Sequence, residues 1–280
     1  MLVDLVLDEQ GESAIRWAHR FATDLSVPII AWVMVDNQSA ERSIEIEREF
    51  EAETAASARA WLHSRDIVVD ELRIASGARA IDLMASAQAD DVVVLGVDST
   101  EGFSPWALGS HAHELVHGLR CPLIIVPPGA PALDIAPIIV GVDGTDDNGL
   151  VLRWATLLAR ALRRELVPVF AYSGDDATIS SAHLQHVESD APGGAVLDEL
   201  TGRPARVLTD VSLHTSAYLT VVGSHSEHSL RRLLAGSVVD SLLHHAPRPI
   251  AIIPHSPVHP LGDEMRSAVG EQQKSADKRP

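Results

Sequence analysis

The chain contains very little cysteine and lysine, and it has no long apolar run. Cys121 is the single cysteine among 280 residues, so no internal disulfide can form. Both lysines, Lys274 and Lys278, lie near the end of the chain, and the net charge is -17. Such an acidic chain without a basic stripe disfavours binding to a phosphate backbone. No apolar run could span a bilayer, and the first residues are acidic where a signal peptide is basic. We therefore expect a cytoplasmic protein with no nucleic-acid partner and no membrane partner.

The usual enzyme signatures are also missing. The sequence has no GxxxxGK[ST], GxGxxG, CxxC or GxSxG motif, and before the last few residues it has no lysine to clamp a phosphate during phosphoryl transfer. Cys121 stands beside Pro122 at the start of an expected strand, which indicates a small core residue rather than a nucleophile. We therefore expect no catalytic residue and no metal site.

One glycine spacing occurs twice. In each copy an apolar run ends in Gly, a polar residue follows three positions later, and Gly-Ser follows after nine further residues. The residues concerned are Gly96, Ser99, Gly109 and Ser110 in the first copy, and Gly223, Ser226, Gly236 and Ser237 in the second. A loop of small residues between a strand and a helix can bring backbone N–H groups up to a phosphate. The spacing therefore predicts two anion sites.

The repeat extends over whole domains. Arg16-Trp17-Ala18 returns as Arg153-Trp154-Ala155, and each half closes with an apolar strand between two prolines. A period of more than a hundred residues indicates two tandem domains rather than a solenoid. We assign residues 1–128 and 137–254 to the two domains, with a linker rich in Pro, Gly and Ala between them. Residues 255–280 are polar without apolar periodicity, which predicts a disordered tail.

Strands and helices alternate in both halves. For the first half the pattern predicts strands over 2–7, 27–35, 67–75, 92–96 and 123–126, and helices over 12–25, 39–63, 80–87 and 109–119. Val- and Ile-rich strands joined by helices indicate a parallel sheet covered on both faces. In such sheets ligands bind at the carboxyl ends of the strands, where the strand order reverses.

These features together resemble the universal stress protein family. The match is carried by Val140-Gly-Val-Asp143-Gly-Thr145, by Arg153-Trp154-Ala155, and by the run from Gly223 to Pro254 with its glycine spacing. The resemblance implies an α/β fold with two doubly wound domains, each a five-stranded parallel sheet in the order 3-2-1-4-5. It also implies pairing through the last strands, either within the chain as a pseudo-dimer or between chains as a homodimer.

The resemblance further implies ATP as a regulatory ligand, with Mg²⁺ as its candidate companion ion and slow hydrolysis at most. In the second domain Asp143 would accept a hydrogen bond from adenine, Gly144 and Gly202 would approach the nucleotide, and Gly223, Ser226, Gly236 and Ser237 would surround ribose and phosphates. The first-domain counterparts are Asp8, Gly77, Gly96, Ser99, Gly109 and Ser110. Arg231 and Arg232 lie only in the second loop, so we expect the second domain to bind better.

Two alternatives stay open. Ser99 and Ser226 replace the middle glycine of the family pattern, which leaves room for a nucleotide-free interaction module with an acidic surface. His113-Glu114-Leu-Val-His117 is formally an HExxH motif, which on a helix can bind zinc in a hydrolase. The repeat opposes zinc, because His113 aligns with Asp240 in the other copy. We interpret these histidines as surface and helix-end residues.

Overall fold

The computed structural model describes most of both halves of the chain. The described residues are 1–35, 44–76, 79–97, 114–116, 118–130, 136–142, 148–172, 198–224, 238–245 and 247–254.

The first half contains five strands, three helices with described bounds and helical residues at 114–116 within its described part. The strands are β1 (Leu2–Asp4), β2 (Ile30–Val35), β3 (Glu71–Ser76), β4 (Val93–Gly96) and β5 (Leu123–Val126). The helices are α1 (Glu9–Leu25), α2 (Ile44–His63) and α3 (Arg79–Ser86). Helix α1 begins after Asp8, whose side chain caps it, and ends at Ser26 in the left-handed conformation.

The second half repeats this order. Its strands are β6 (Ile138–Val142), β7 (Leu166–Tyr172), β8 (Asp198–Thr201), β9 (Leu219–Gly223) and β10 (Ile250–Ile253). Its helices within the described residues are α4 (Asn148–Ala161), α5 (Pro204–His214) and α6 (Val238–His245). Of the helices that the structure describes, none is both long enough and apolar enough to cross a membrane.

All ten strands form one sheet in the order β3-β2-β1-β4-β5-β10-β9-β6-β7-β8. Within each half the strands are parallel, in the order 3-2-1-4-5 that the resemblance implied, so the predicted fold class is confirmed. The halves meet where β5 and β10 pair antiparallel, with Ile125 opposite Ile250 and Leu123 opposite Ile252. The two parallel sheets are therefore continuous with each other.

Two apolar cores lie on the two faces of this sheet, and both extend across the junction of the halves. One contains Trp17 and Phe21 of α1 together with Trp154 and Leu158 of α4. The other contains Leu83 of α3 and, from the second half, Leu208 of α5 and Leu242 and Leu243 of α6. Helices cover both faces, as the apolar strands predict.

The strand ladders show which residues of the two halves correspond. Leu2 pairs with Ile30 and Val93, as Ile139 pairs with Val167 and Thr220. Trp17 precedes Ile30 by the same number of residues as Trp154 precedes Val167. The helices also end alike, because Ser26 and Arg163 stand at equivalent positions with φ of 55° and 53°.

Two predicted strand starts need correction. We predicted strands from residues 27 and 67, but β2 begins at Ile30 and β3 at Glu71. The amide N–H of Val27 still donates to the carbonyl of Ala22 at the end of α1, and Pro28 has no N–H to donate to a ladder. Apolar content alone does not show that Val27 makes a hydrogen bond at the C-terminus of α1 instead of joining the strand.

Candidate functional site

The strand order reverses between β1 and β4 in the first half and between β6 and β9 in the second. From β1 the chain proceeds outward through β2 and β3, whereas β4 leads to β5 on the other side. In open parallel sheets a crevice forms at this reversal, outside the carboxyl ends of the strands. Gly96 is the last residue of β4 and Gly223 the last of β9, so the first glycine of each repeated motif lies at such a crevice.

The two crevices lie at opposite edges of the sheet. Because β5 and β10 are antiparallel, the carboxyl ends of β1–β5 and those of β6–β10 point in opposite directions. A ligand in one crevice therefore cannot bridge to the other, and each site must be complete within its own edge.

Gly96 is in close contact with helix α1. A Cβ atom at Gly96 would lie 3.1 Å from the carbonyl oxygen of Gln10 and 3.4 Å from the Cβ of Ala14. Glycine here therefore lets α1 lie close to the strand, whether or not a ligand binds.

Gly202 lies at the same edge as Gly223, immediately after β8. Its φ is +154°, and a Cβ atom would lie 2.8 Å from Cγ2 of Val207. Pro204 follows as the first residue of α5, and Arg203, at the cap position, makes no side-chain hydrogen bond to the helix. Gly202 thus lies in a tight turn that leads into the N-terminus of α5. Arg203 does not cap that N-terminus with its side chain.

Asp8 serves as the cap of α1. Its Oδ1 accepts hydrogen bonds from the amide N–H groups of Gln10 at 3.0 Å and Gly11 at 2.8 Å. The helix start that could have faced an anion is therefore already satisfied by a carboxylate of the chain itself.

The ladders assign a residue other than Asp8 to the place of Asp143. Leu5 corresponds to Val142, the last residue of β6, so the next residue in the first half is Val6. Asp8 stands two positions further along and corresponds to Thr145. The Trp17 and Trp154 anchors carried this signal, since counting back equally from each leads to Val6 and Asp143. The assignment of Asp8 to the adenine contact follows the acid nearest to this position and stays a prediction.

The first-half loop is also folded tightly onto α1. A Cβ atom at Gly11 would clash with the carbonyl oxygen of Val6, so this contact requires glycine. The corresponding residue in the second half is Asn148, so the second half has no glycine at this position.

The two halves also differ at one position in the first strand of each half, next to the strand-order reversal. Asp4, the last residue of β1, is 4% exposed and corresponds to Gly141 of β6. A Cβ atom at Gly141 would lie 2.9 Å from Cδ1 of Leu208, so α5 packs closely on β6 there. The first half has a buried carboxylate where the second has this apolar contact.

Of the predicted site residues, the structure describes Asp8, Gly96, Gly202 and Gly223. The others lie outside the described residues, namely Gly77, Ser99, Gly109, Ser110, Asp143, Gly144, Ser226, Gly236 and Ser237. The same holds for His113 and His117 of the HExxH motif. Within the described residues, no group of three or more His, Cys, Asp and Glu side chains could hold a metal ion. Cys121 is buried, and burial raises the pKa of its thiol to about 12.

The comparison with solved structures supports the fold. The structure is similar to that of a universal stress protein from Archaeoglobus fulgidus, with a TM-score of 0.70, 16% identity, and coverage of 91% of this chain and 98% of that one. A second Archaeoglobus fulgidus universal stress protein, solved in complex with dAMP, is 23% identical over 44% of this chain and 98% of its own, with a TM-score of 0.32.

Sequence comparison leads to the same family. A universal stress protein of Mycobacterium bovis and one of Mycobacterium tuberculosis are each 31% identical over 186 residues, which is 58% of this chain. The match spans 61% of the length of these relatives. The sequence profile of the universal stress protein family matches residues 2–127 and again residues 135–254. The chain therefore belongs to the universal stress protein family, with two tandem copies of its domain.

Proposed function

We propose that this chain is a stress-response protein that binds ATP as a regulatory ligand, and that it does so in its second half. The observation that carries the proposal is the position of Gly223 at the end of β9, beside β6, where the strand order reverses. The motif that follows in the sequence, with Ser226, Gly236 and Ser237, supplies small residues and hydroxyls for a polyphosphate.

The second half supports adenine recognition better than the first. Asp143 directly follows the last residue of β6 and is proposed to accept a hydrogen bond from the adenine amino group. The first half has Val6 in the corresponding place, and its nearby Asp8 already accepts two backbone hydrogen bonds. A valine offers no acceptor for the base.

Charge also favours the second half. Between Ser226 and Gly236 the sequence carries Arg231 and Arg232, whereas the corresponding stretch from residue 100 to 108 has no basic residue and contains Glu101. Because the chain has no lysine before Lys274, we propose that these arginines supply positive charge to the phosphates. Gly144 and Gly202 complete the proposed set of contacts.

Matched glutamate substitutions test the proposal. Gly236→Glu places a carboxylate at the proposed phosphate site, and Gly109→Glu makes the same change in the first half. In titrations with ATP and Mg²⁺, we expect the unmodified chain and Gly109→Glu to bind, and Gly236→Glu to lose binding through charge repulsion. Circular dichroism should show that both variants fold.

Two results would overturn it. Absence of ATP binding by the unmodified chain would favour the nucleotide-free interaction module. Loss of binding in Gly109→Glu, with binding retained in Gly236→Glu, would place the site in the first half.

A further inference from the structure

A buried aromatic cluster joins the two halves on the face of the sheet that carries α1 and α4. Trp17 of α1 stacks on Phe21, with ring centroids 4.9 Å apart. The Trp17 ring also contacts the ring of Tyr218, at a centroid distance of 5.5 Å. Tyr218 belongs to the second half, directly before β9, and Arg164 places its guanidinium carbon 3.7 Å from the centre of the Tyr218 ring. We call Trp17, Tyr218 and Arg164 the interdomain clasp.

The clasp is buried and held in position from both halves. Trp17 is 3% exposed and Tyr218 2% exposed. The amide N–H of Tyr218 donates to the carbonyl of Pro137, and Nη1 of Arg164 donates to the carbonyl of Ala136 at 3.1 Å. Burial lowers the pKa of the Arg164 guanidinium, while the Asp24 carboxylate of α1 acts in the opposite direction.

The clasp is a contact separate from the pairing of β5 with β10. That ladder joins three residue pairs, Leu123 to Ile125 with Ile250 to Ile252, through backbone hydrogen bonds. Backbone ladders distinguish poorly between apolar strands of similar sequence, so β5 could equally pair with β5 of a second copy. Any preference of β5 for β10 over β5 of a second copy must therefore come from side chains beside the ladder.

The clasp has no equivalent on the other side of the junction. By the strand register, Tyr218 corresponds to Asp91 and Arg164 to Val27. Asp91 already interacts with the N-terminal amine of Met1 at 3.8 Å and accepts the amide N–H of Gln88 at 2.9 Å. In a pair of two first halves, Trp17 would face a carboxylate and a valine instead of an aromatic ring and a guanidinium.

We propose that the interdomain clasp favours the pairing of the first half with the second half over the pairing of two first halves between chains. Contact of Trp17 with Tyr218 stabilises the unlike pair, and Arg164 contacts the Tyr218 ring from within the second half. A pair of two first halves would bring the Asp91 carboxylate of each copy against the Trp17 indole of the other, which opposes that pairing.

A double-mutant cycle in the full chain tests the contact. Trp17→Ala, Tyr218→Ala and the double variant are unfolded in urea, and we expect the two substitutions to be coupled by about threefold or more in the unfolding equilibrium constant. The control cycle combines Trp17→Ala with Leu243→Ala, since Leu243 is buried on the opposite face of the sheet, and should be additive. If an alanine variant does not fold, Trp17→Leu and Tyr218→Leu give the same cycle with smaller volume changes.

A second measurement tests the selection itself. Tyr218→Asp gives the second half the residue that the first half carries at this position. In sedimentation velocity over a range of concentrations, we expect this variant to self-associate more than the unmodified chain and more than Leu243→Ala. An additive Trp17–Tyr218 cycle, or self-association of Tyr218→Asp no greater than in the unmodified chain, would overturn the proposal.

Discussion

Asp8 shows at the scale of a single residue how an acid two positions beyond a family position can serve a different purpose. Its carboxylate caps α1 through the N–H groups of Gln10 and Gly11. We expect Asp8→Ala to lower the free energy of unfolding by about 1 kcal/mol, and Asp8→Asn, which keeps a capping oxygen, to change it much less. Urea unfolding measures both. Equal stability of Asp8→Ala and the unmodified chain would contradict the capping role, and we expect neither variant to change ATP affinity.

Cys121 illustrates how burial removes the chemistry of a reactive residue. The thiol is enclosed, and its pKa of about 12 leaves almost no thiolate near neutral pH. We therefore expect no reaction with a thiol reagent at pH 8 in the folded chain and complete reaction in guanidinium chloride. Fast labelling of the folded chain would show that the strand junction opens.

The places of Gly96 and Gly223 in the fold could be predicted from the sequence, but their contacts could be predicted only in part. The spacing correctly indicated that Gly96 and Gly223 end strands at the sheet reversal. It could not show that Gly96 lies in close contact with Gln10 and Ala14 of α1, because that contact depends on how the helix returns over the sheet. Assignment of Asp8 to the adenine contact stays a prediction, although Asp8 lies two residues nearer to Trp17 than Asp143 lies to Trp154.

Helix α1 depends on a glycine in its first turn, which is the main prediction at the scale of elements. Gly11→Ala would bring a Cβ atom against the carbonyl oxygen of Val6, so we expect a loss of about 1–3 kcal/mol in unfolding free energy despite the better helix propensity of alanine.

The matched control for this prediction is Gly149→Ala in the first turn of α4. No heavy atom lies within 4 Å of the added Cβ there. We therefore expect Gly149→Ala to be neutral or stabilising by up to about 1 kcal/mol. Thermal or urea unfolding measures the change in stability of both variants. Similar effects of the two substitutions would contradict the close contact at Gly11.

The packing of α1 beside the end of α2 has a pH dependence of known sign. Glu12 accepts from Nε of Arg65 at 2.7 Å and from Nε of Arg16 at 2.8 Å, and these hydrogen bonds, that of Arg65 first, lower the pKa of Glu12. A lowered folded-state pKa means that the contribution is full above the ordinary value of 4.5 and is lost as the pH falls through the folded value.

We expect Glu12→Gln to cost about 0.5 kcal/mol at pH 7, because solvent screens a pair this exposed, and the cost to vanish at low pH. Urea unfolding between pH 7 and pH 3 measures it. Glu9→Gln, which changes an exposed acid one turn earlier, is the control. A cost that stays constant with pH would argue against the ion pair.

Most elements could be predicted from apolar periodicity, and the deviations have local physical causes. The strand at 123–126 was predicted with its observed bounds, since Pro122 and Pro127 delimit an apolar run. Strand β2 starts later than predicted because the residues after Ser26 complete the end of α1. Helix α1 starts at Glu9 rather than at residue 12, because Asp8 caps it. Apolar periodicity does not show this cap.

At the scale of the whole molecule, two halves share one sheet and two cores, yet their candidate sites face opposite edges. The order of strands and their parallel direction follow from the sequence pattern and the family resemblance. The contact of Trp17 with Tyr218 does not, because it joins positions that are not equivalent in the repeat. A repeat reveals what the halves share, whereas a contact between unlike positions depends on their mutual orientation.

The differences between the halves lead to the central claim, which is one ATP site per chain. We propose that Val6 and the cap of α1 remove adenine recognition from the first half, and that Gly223 with the motif that follows it provides the site in the second. The most direct test is isothermal titration of the unmodified full chain with ATP in the presence of Mg²⁺. We predict a single class of sites with a stoichiometry of about one. A stoichiometry of about two, or no binding, would contradict the account.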